Sequence, residues 1–322
     1  YDSPTIKVNP GTPQVILPFD YKNNPANRIG LSKWFFNDNN PLTSRVAVNR
    51  IWQQFFGIGI VSTPDDFGSQ GSKPINPELL DWLAYTYQKE DKWDTKKFIK
   101  RIVMSSTYRQ SSKIKKESLL IDSDNMYLSH YPRQKLSAEM IRDNVLASSG
   151  MLVNKIGGPS VKPMQPPGLW DEVTGGGGGS LAFYTPDTGE NLFRRSLYTF
   201  WKRTVPPPSM MIFDAPTRDF CVAVRQKTST PLQALALMND PQYLMAAEYL
   251  SKKIYEIKNM SKDDKIIKLY RTVTGRTPNE LEISKLDSYL NEVKKINEYS
   301  DEKAFTSLAI LIYNLDETTQ KS

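Results

Sequence analysis

Apolar residues recur along most of this 322-residue chain at the three- and four-residue spacing of amphipathic helices. Val48, Ile51, Trp52, Phe55 and Phe56 form one such stripe, preceded by Asn40-Pro41-Leu42-Thr43 and closed by Gly57. Proline is pre-set for a first helical turn, and glycine ends a last one. Asn76-Pro77-Glu78 opens a second helix with the stripe Leu79, Leu80, Leu83 and Tyr87. Asp94 is placed to cap a third, whose buried face is Phe98, Ile99, Ile102 and Val103, with Trp93 stapling onto Phe98. Ser137 opens a helix that runs to Gly150. Thr230-Pro231-Leu232-Gln233 reads as a capping box before a helix ended by Asn239-Asp240-Pro241, which begins another reaching Ile257. Thr277-Pro278-Asn279-Glu280 repeats that logic before a helix ending near Lys294, and a last helix covers roughly residues 302–315.

Three stretches break the pattern. Pro4, Pro10, Pro13 and Pro18 make residues 1–24 an extended arm or edge strand, read as a linker. Residues 150–190 hold Gly157, Gly158, Pro159, Pro163, Pro166, Pro167 and five glycines at 175–179, which predicts a long loop of the kind that often carries function. Residues 194–203 alternate aromatic and polar side chains in a way that allows a short strand, stopped by the prolines 206–208. The expected fold is mainly α: an irregular helical domain with a long Gly/Pro-rich central loop and little β structure. Its expected organisation is the arm 1–24, a helical domain 25–257 with the loop 150–190, and C-terminal helices 258–322 packed on the same domain.

Composition removes several kinds of chemistry. With one His and one Cys, the chain cannot form an internal disulfide or a His/Cys zinc cluster, and it has no C-x-x-C-H for covalent haem. A Ser-His-Asp triad would have to use His130, which reads as a packed or surface imidazole, while Cys221 reads as a buried small hydrophobe. No apolar run approaches the ~18 residues of a membrane span. Lys+Arg exceed Asp+Glu by 42 to 35, a net charge of +7. The charge is dispersed, and the dense stretches Lys96–Arg101 and Lys113–Lys116 have acidic neighbours, so an acidic partner other than nucleic acid is expected. The chain opens at Tyr1 without a starting Met or a signal peptide, which reads as a processed product or a piece of something longer.

Two sets of residues carry candidate chemistry. Asp65-Asp66 and Asp171-Glu172 lie beside glycine- and proline-rich loops, and Glu139, Arg142 and Asp143 share one helix face at i, i+3 and i+4. An acid/base pair of carboxylates would come from Asp66, Glu139, Asp143 and Asp214; the blander reading of the helix trio is a structural ion-pair cluster. Arg45, Asn49 and Gln53 form a polar stripe suited either to a bidentate anion or hydroxyl pair or to anchoring loop carbonyls. Arg194, Arg195, Tyr198, Trp201, Lys202 and Arg203, with Trp170 in the loop before the glycines, suit stacking on sugar rings with anion contacts. They equally suit a core strand with snorkelling basic ends. The glycine run has no following Lys, so it reads as a hinge or lid and not a phosphate loop. No metal-ligand set is expected.

Several segments together carry a resemblance: Asn40–Trp52, Thr63–Gly68, Ser106–Ser111, Gln165–Trp170, Arg195–Thr204, Phe213–Pro216 and Thr230–Leu235. In that order they resemble the C-terminal domain of planctomycete-type, cytochrome-c-associated exported proteins, the domain of unknown function numbered 1553. The resemblance implies an exported (periplasmic or extracellular) protein, with a second uncharacterised domain upstream and often a c-type haem module before that. Any haem would then lie in the upstream part and no cofactor in this chain, which would begin where that part ends. Such proteins are often encoded near polysaccharide-degradation and sulfatase genes, and the resemblance supplies no catalytic residues. The leading expectation is a binding or docking module for an acidic polysaccharide or a partner protein, contacted by Arg45, Asn49, Trp170, Arg195, Tyr198, Trp201 and Arg203. The alternatives are a carbohydrate-active enzyme, hydrolytic or redox, that uses the four carboxylates, and a purely structural module.

Overall fold

The computed structural model describes residues 10–166, 168, 183–203 and 205–321. Among these it has 14 α-helices and a single two-stranded sheet, so the chain is mainly α. The chain divides into two compact units, Tyr1–Arg133 and Gln134–Lys321.

The N-terminal unit contains α1 (Arg28–Phe35), α2 (Pro41–Phe56), α3 (Pro77–Tyr85, continued by a π turn Thr86–Glu90), α4 (Thr95–Val103), α5 (Ser106–Arg109) and α6 (Lys116–Ile121). Each of the first five begins at a side-chain cap, from Asn27, Asn40, Asn76, Asp94 and Ser105 in turn. Asn40 Oδ1 accepts from the amides of Leu42 and Thr43, which the helix itself leaves unpaired, and Gly57 ends α2 at φ 83°. Val48, Phe56, Leu80, Leu83, Phe98 and Ile102 then meet in one core. Residues 10–24 run in turns rather than along a sheet edge, and Trp34 Nε1 donates to the Leu17 carbonyl at 2.7 Å.

The C-terminal unit holds α7 (Ala138–Ser149), α8 (Pro208–Ile212), α9 (Pro231–Asn239), α10 (Pro241–Tyr255), α11 (Lys262–Thr274), α12 (Glu280–Asn297), α13 (Asp301–Tyr313) and α14 (Asp316–Thr319). Its first and last residues pair as antiparallel β1 (Gln134–Lys135) and β2 (Gln320–Lys321), with Gln134 opposite Lys321. Helix α13 is the centre of the core: Ala304, Leu308, Ala309 and Ile312 are fully buried, and it packs on α10 and α12. Ala246 and Ala247 of α10 are buried in the same cluster. Alanines on both helices let their axes approach closely, since interaxial distance follows side-chain size.

Several local expectations change. Residues 194–203 form no regular strand. They carry a 3₁₀ turn, Ser196–Tyr198, between isolated bridges at Arg194, Thr199 and Lys202, because their polar groups are bonded to α7 and to loops instead of to a neighbouring strand. Thr230 makes no capping bond: Gln233 turns inward, is buried, and donates to the Ile212 carbonyl at 2.9 Å. The capping box before α12 is built by Asn279 and Glu282, and Asn279 rather than Thr277 is the cap. Helix α10 stops at Tyr255, and α12 continues past Lys294 to Asn297. Cys221 is exposed, on a loop without regular structure, and is not a core residue.

One ionic cluster joins the last segment to the helices before it. Arg276 reaches Glu282 of α12 and Glu317 of α14, both at 2.6 Å, and Tyr270 of α11 bonds to Glu317 and Arg276. The Arg276 hydrogen bond, more than any opposing burial, holds the Glu282 carboxyl at about 2 instead of the ordinary 4.5. A carboxyl depressed in the folded state stabilises it above the unfolded value, and that contribution fades as pH falls from 4.5 towards about 2. Arg276→Gln should therefore lower the urea midpoint at pH 7 while differing little from the parent at pH 2. Equal midpoint losses at both pH values would count against this role.

Candidate functional site

The residues expected to form a groove in the C-terminal unit are largely engaged in holding it together. Arg142 projects from α7 into the interior and is almost fully buried. It donates to the carbonyls of Leu192 (2.8 Å) and Arg194 (2.9 Å), to Ser196 Oγ and to Gln242 Oε1 of α10. Asp143, on the next position of α7, accepts from the Ser196 amide at 2.7 Å, and Arg195 Nε lies 3.6 Å from it. Arg194 is equally buried; its guanidinium binds the carbonyls of Lys155, Gly157 and Pro159 and stacks 4.0 Å from the Tyr198 ring. Tyr198 in turn accepts from the Gly157 amide at 2.8 Å. Trp201 Nε1 donates to the Thr217 carbonyl, with Arg218 4.3 Å over its ring.

Among the expected ligand residues of this unit, Arg195 and Arg203 are exposed. Trp170 lies outside the described residues, as do Asp171, Glu172 and the glycines 175–179.

Two further carboxylates in this unit are spoken for. Glu139 pairs with Arg225 at 2.8 Å; burial is the largest single influence and opposes its charge, but the Arg225 bond and charge, with hydrogen bonds from its own amide and from Ser137, together keep the carboxyl below its ordinary range. Asp214 sits at φ 60°, where its side chain accepts from the Thr228 amide (2.6 Å) and hydroxyl, closing the loop before α9. A general acid needs a carboxyl raised towards the working pH, and Glu139 is moved the other way. Among the described residues, no group of three or more His, Cys, Asp or Glu is arranged to hold a metal ion.

In the N-terminal unit the expected residues also serve the backbone. Arg45 pairs with Asp81 at 2.7 Å and binds the Pro41 carbonyl. Asp66 Oδ1 accepts from the Gly68 amide in a tight turn. Asn49 is wholly buried and grips the Val61 backbone on both sides, donating to its carbonyl (3.0 Å) and accepting from its amide (2.9 Å).

That grip shapes a cavity of about 370 Å³ that sequence reasoning did not foresee. Helix α2 contributes Trp52 and Phe56 to its wall, α3 contributes Trp82, α4 contributes Arg101, and the loop after α6 adds Asp124 and Tyr127. Gly59 also lines it, and a Cβ there would stand 2.5 Å from Asn49 Nδ2 and 2.6 Å from the Val61 carbonyl oxygen. The loop is drawn into shape by buried Asp122, which accepts from the amides of Met126 and Tyr127. Arg101 is bonded to Asp91 at 3.0 Å, and Asp91, whose side chain has no exposure, also meets Lys97 at 2.9 Å. Burial works against the Asp91 charge, but the two cations prevail and keep its carboxyl below the ordinary range. One sequence signal did point here: Trp82 falls off the stripe Leu79, Leu80, Leu83 and Tyr87, and it remains 52% exposed.

The cavity wall gives a direct test of the Asn49 contact. Asn49→Ala strands a buried amide and a buried carbonyl of Val61, and the cost should be about 1–3 kcal/mol. It should appear as a lower urea midpoint at unchanged slope. A midpoint within error of the parent would mean that the 57–61 turn holds itself.

No curated protein and no solved structure matches the chain. A family model does match, over residues 27–290, a range that includes helices of both units and the cavity wall. The chain belongs to this family, PSD1, described as a protein of unknown function (DUF1553).

Proposed function

We propose that this domain is a binding module and that its ligand sits in the cavity of the N-terminal unit. The cavity itself carries the reading. Ligand pockets are typically about 300–1,000 Å³, mostly apolar, with a few placed polar groups, and this one is about 370 Å³, with two indoles, a guanidinium and a carboxylate on its wall. The carboxylates that a hydrolase would need are occupied in turns, loop closure and ion pairs, which supports binding over acid/base chemistry.

The exposure of Arg195 and Arg203 favours a second contact, in which an acidic glycan or an acidic partner protein meets the C-terminal unit through these side chains. In keeping with the family resemblance, we place the module in an exported protein, with any redox centre in the upstream part. Covalent haem does not fit this chain, whose single Cys221 and His130 are 91 positions apart (221 − 130).

Affinity electrophoresis through neutral, uronate-containing and sulfated polysaccharides, with a reducing-end assay on the same samples, separates these readings. Retention without release of reducing ends is expected, reduced by Trp82→Ala for the cavity and by Arg203→Ala for the acidic-glycan contact. Release of reducing ends that stops in Glu139→Gln or Asp214→Asn would replace the binding module with a hydrolase.

A further inference from the structure

The geometry points to a neutral sugar ring as the occupant of the N-terminal cavity, an inference that rests on reading this cavity as the ligand site. The wall combines aromatic rings with polar groups left unused by the fold. Trp52, Trp82, Phe56 and Tyr127 supply aromatic surface, and the partial negative potential over an aromatic face attracts the weakly polarised C–H bonds of a pyranose.

The polar groups narrow the class. Arg101 uses Nη2 for its bonds to Asp91 and Glu90, and its Nη1 makes no hydrogen bond within the described residues; Asp124 is an exposed carboxylate that makes no hydrogen bond or ion pair within them either. The first is a donor and the second an acceptor, so an occupant that satisfies both must accept and donate. A sugar hydroxyl does both. An aromatic hydrocarbon does neither, and a carboxylate only accepts.

Charge decides between neutral and acidic sugars. The Arg101 guanidinium already faces Asp91 at 3.0 Å and Glu90 at 3.5 Å, so it offers a hydrogen bond more than a free positive field. Asp124 adds a negative charge to the wall. An anionic sugar would meet that carboxylate at close range, where like charges repel. The selectivity of the cavity therefore runs opposite to that expected at the exposed Arg195 and Arg203, and the two units would read different features of a glycan.

The test uses the full chain, with neutral disaccharides (cellobiose, maltose and lactose), glucuronic acid and phenol as probes, followed by tryptophan emission and titration calorimetry. At least one neutral disaccharide should bind and shift the emission, more tightly than glucuronic acid. Asp124→Asn should weaken it about tenfold with an unchanged melting temperature, since Asp124 holds no other group, and Trp82→Ala should weaken it at least as much. Tighter binding of glucuronic acid, with the same dependence on Trp82, would overturn the neutral preference. Binding of phenol that depends on Trp82, with none of the disaccharides competing, would overturn the sugar while keeping the cavity as a ligand site. Binding of no probe would overturn both.

Discussion

A long irregular segment can be buried only if its peptide carbonyls and amides find partners, and in the C-terminal unit two guanidiniums meet that demand. Arg142, rising from α7, collects the carbonyls of Leu192 and Arg194, and Arg194 collects those of Lys155, Gly157 and Pro159. Five donors in a fixed planar fork let each arginine serve several carbonyls at once, which a lysine could not do in the same geometry. Asp143 adds the complementary half by accepting from the Ser196 amide. Among the described residues these loops make isolated bridges and join no sheet, so side chains take the place of strand partners.

The N-terminal unit solves the same problem with short side chains, an amide and a carboxylate. Asn49 replaces a strand partner for Val61, and Asp122 gathers the amides of Met126 and Tyr127. Because these groups look after the turns, the aromatic residues between them are free to form walls, and a cavity remains where α2, α3, α4 and the loop after α6 meet. What the backbone leaves over is two indoles, one guanidinium nitrogen and one carboxylate, the groups on which the proposed ligand site rests.

Helix starts were legible because they are local. Asn40, Asn76, Asp94 and Ser137 each bond to an amide two or three residues ahead, and nothing distant can easily alter that. The capping assignment failed at Thr230 where a distant demand won: Gln233, which would complete the box, is pulled inward to Ile212 and Lys135. Arg194 to Arg203 misled in the same way. Their alternation suits a strand, yet three of the side chains are committed to carbonyls and an amide far along the chain. The sugar-binding composition of that segment and its loop-anchoring composition are the same composition, so residue type could not separate them.

By itself, then, the sequence determined the α class, the helix boundaries set by caps and glycines, the lack of ligands for a His/Cys metal cluster, and the family. These follow from short-range hydrogen bonding and from simple counts. The tertiary structure decided which polar residues are consumed. Asn49, Arg142, Asp143 and Arg194 became anchors for distant peptide groups, Cys221 moved to the surface, and Trp82 came to stand with Trp52 around a cavity. The reason is physical: a buried donor or acceptor takes whichever partner the packed chain brings within about 3 Å, and sequence spacing alone does not fix that partner.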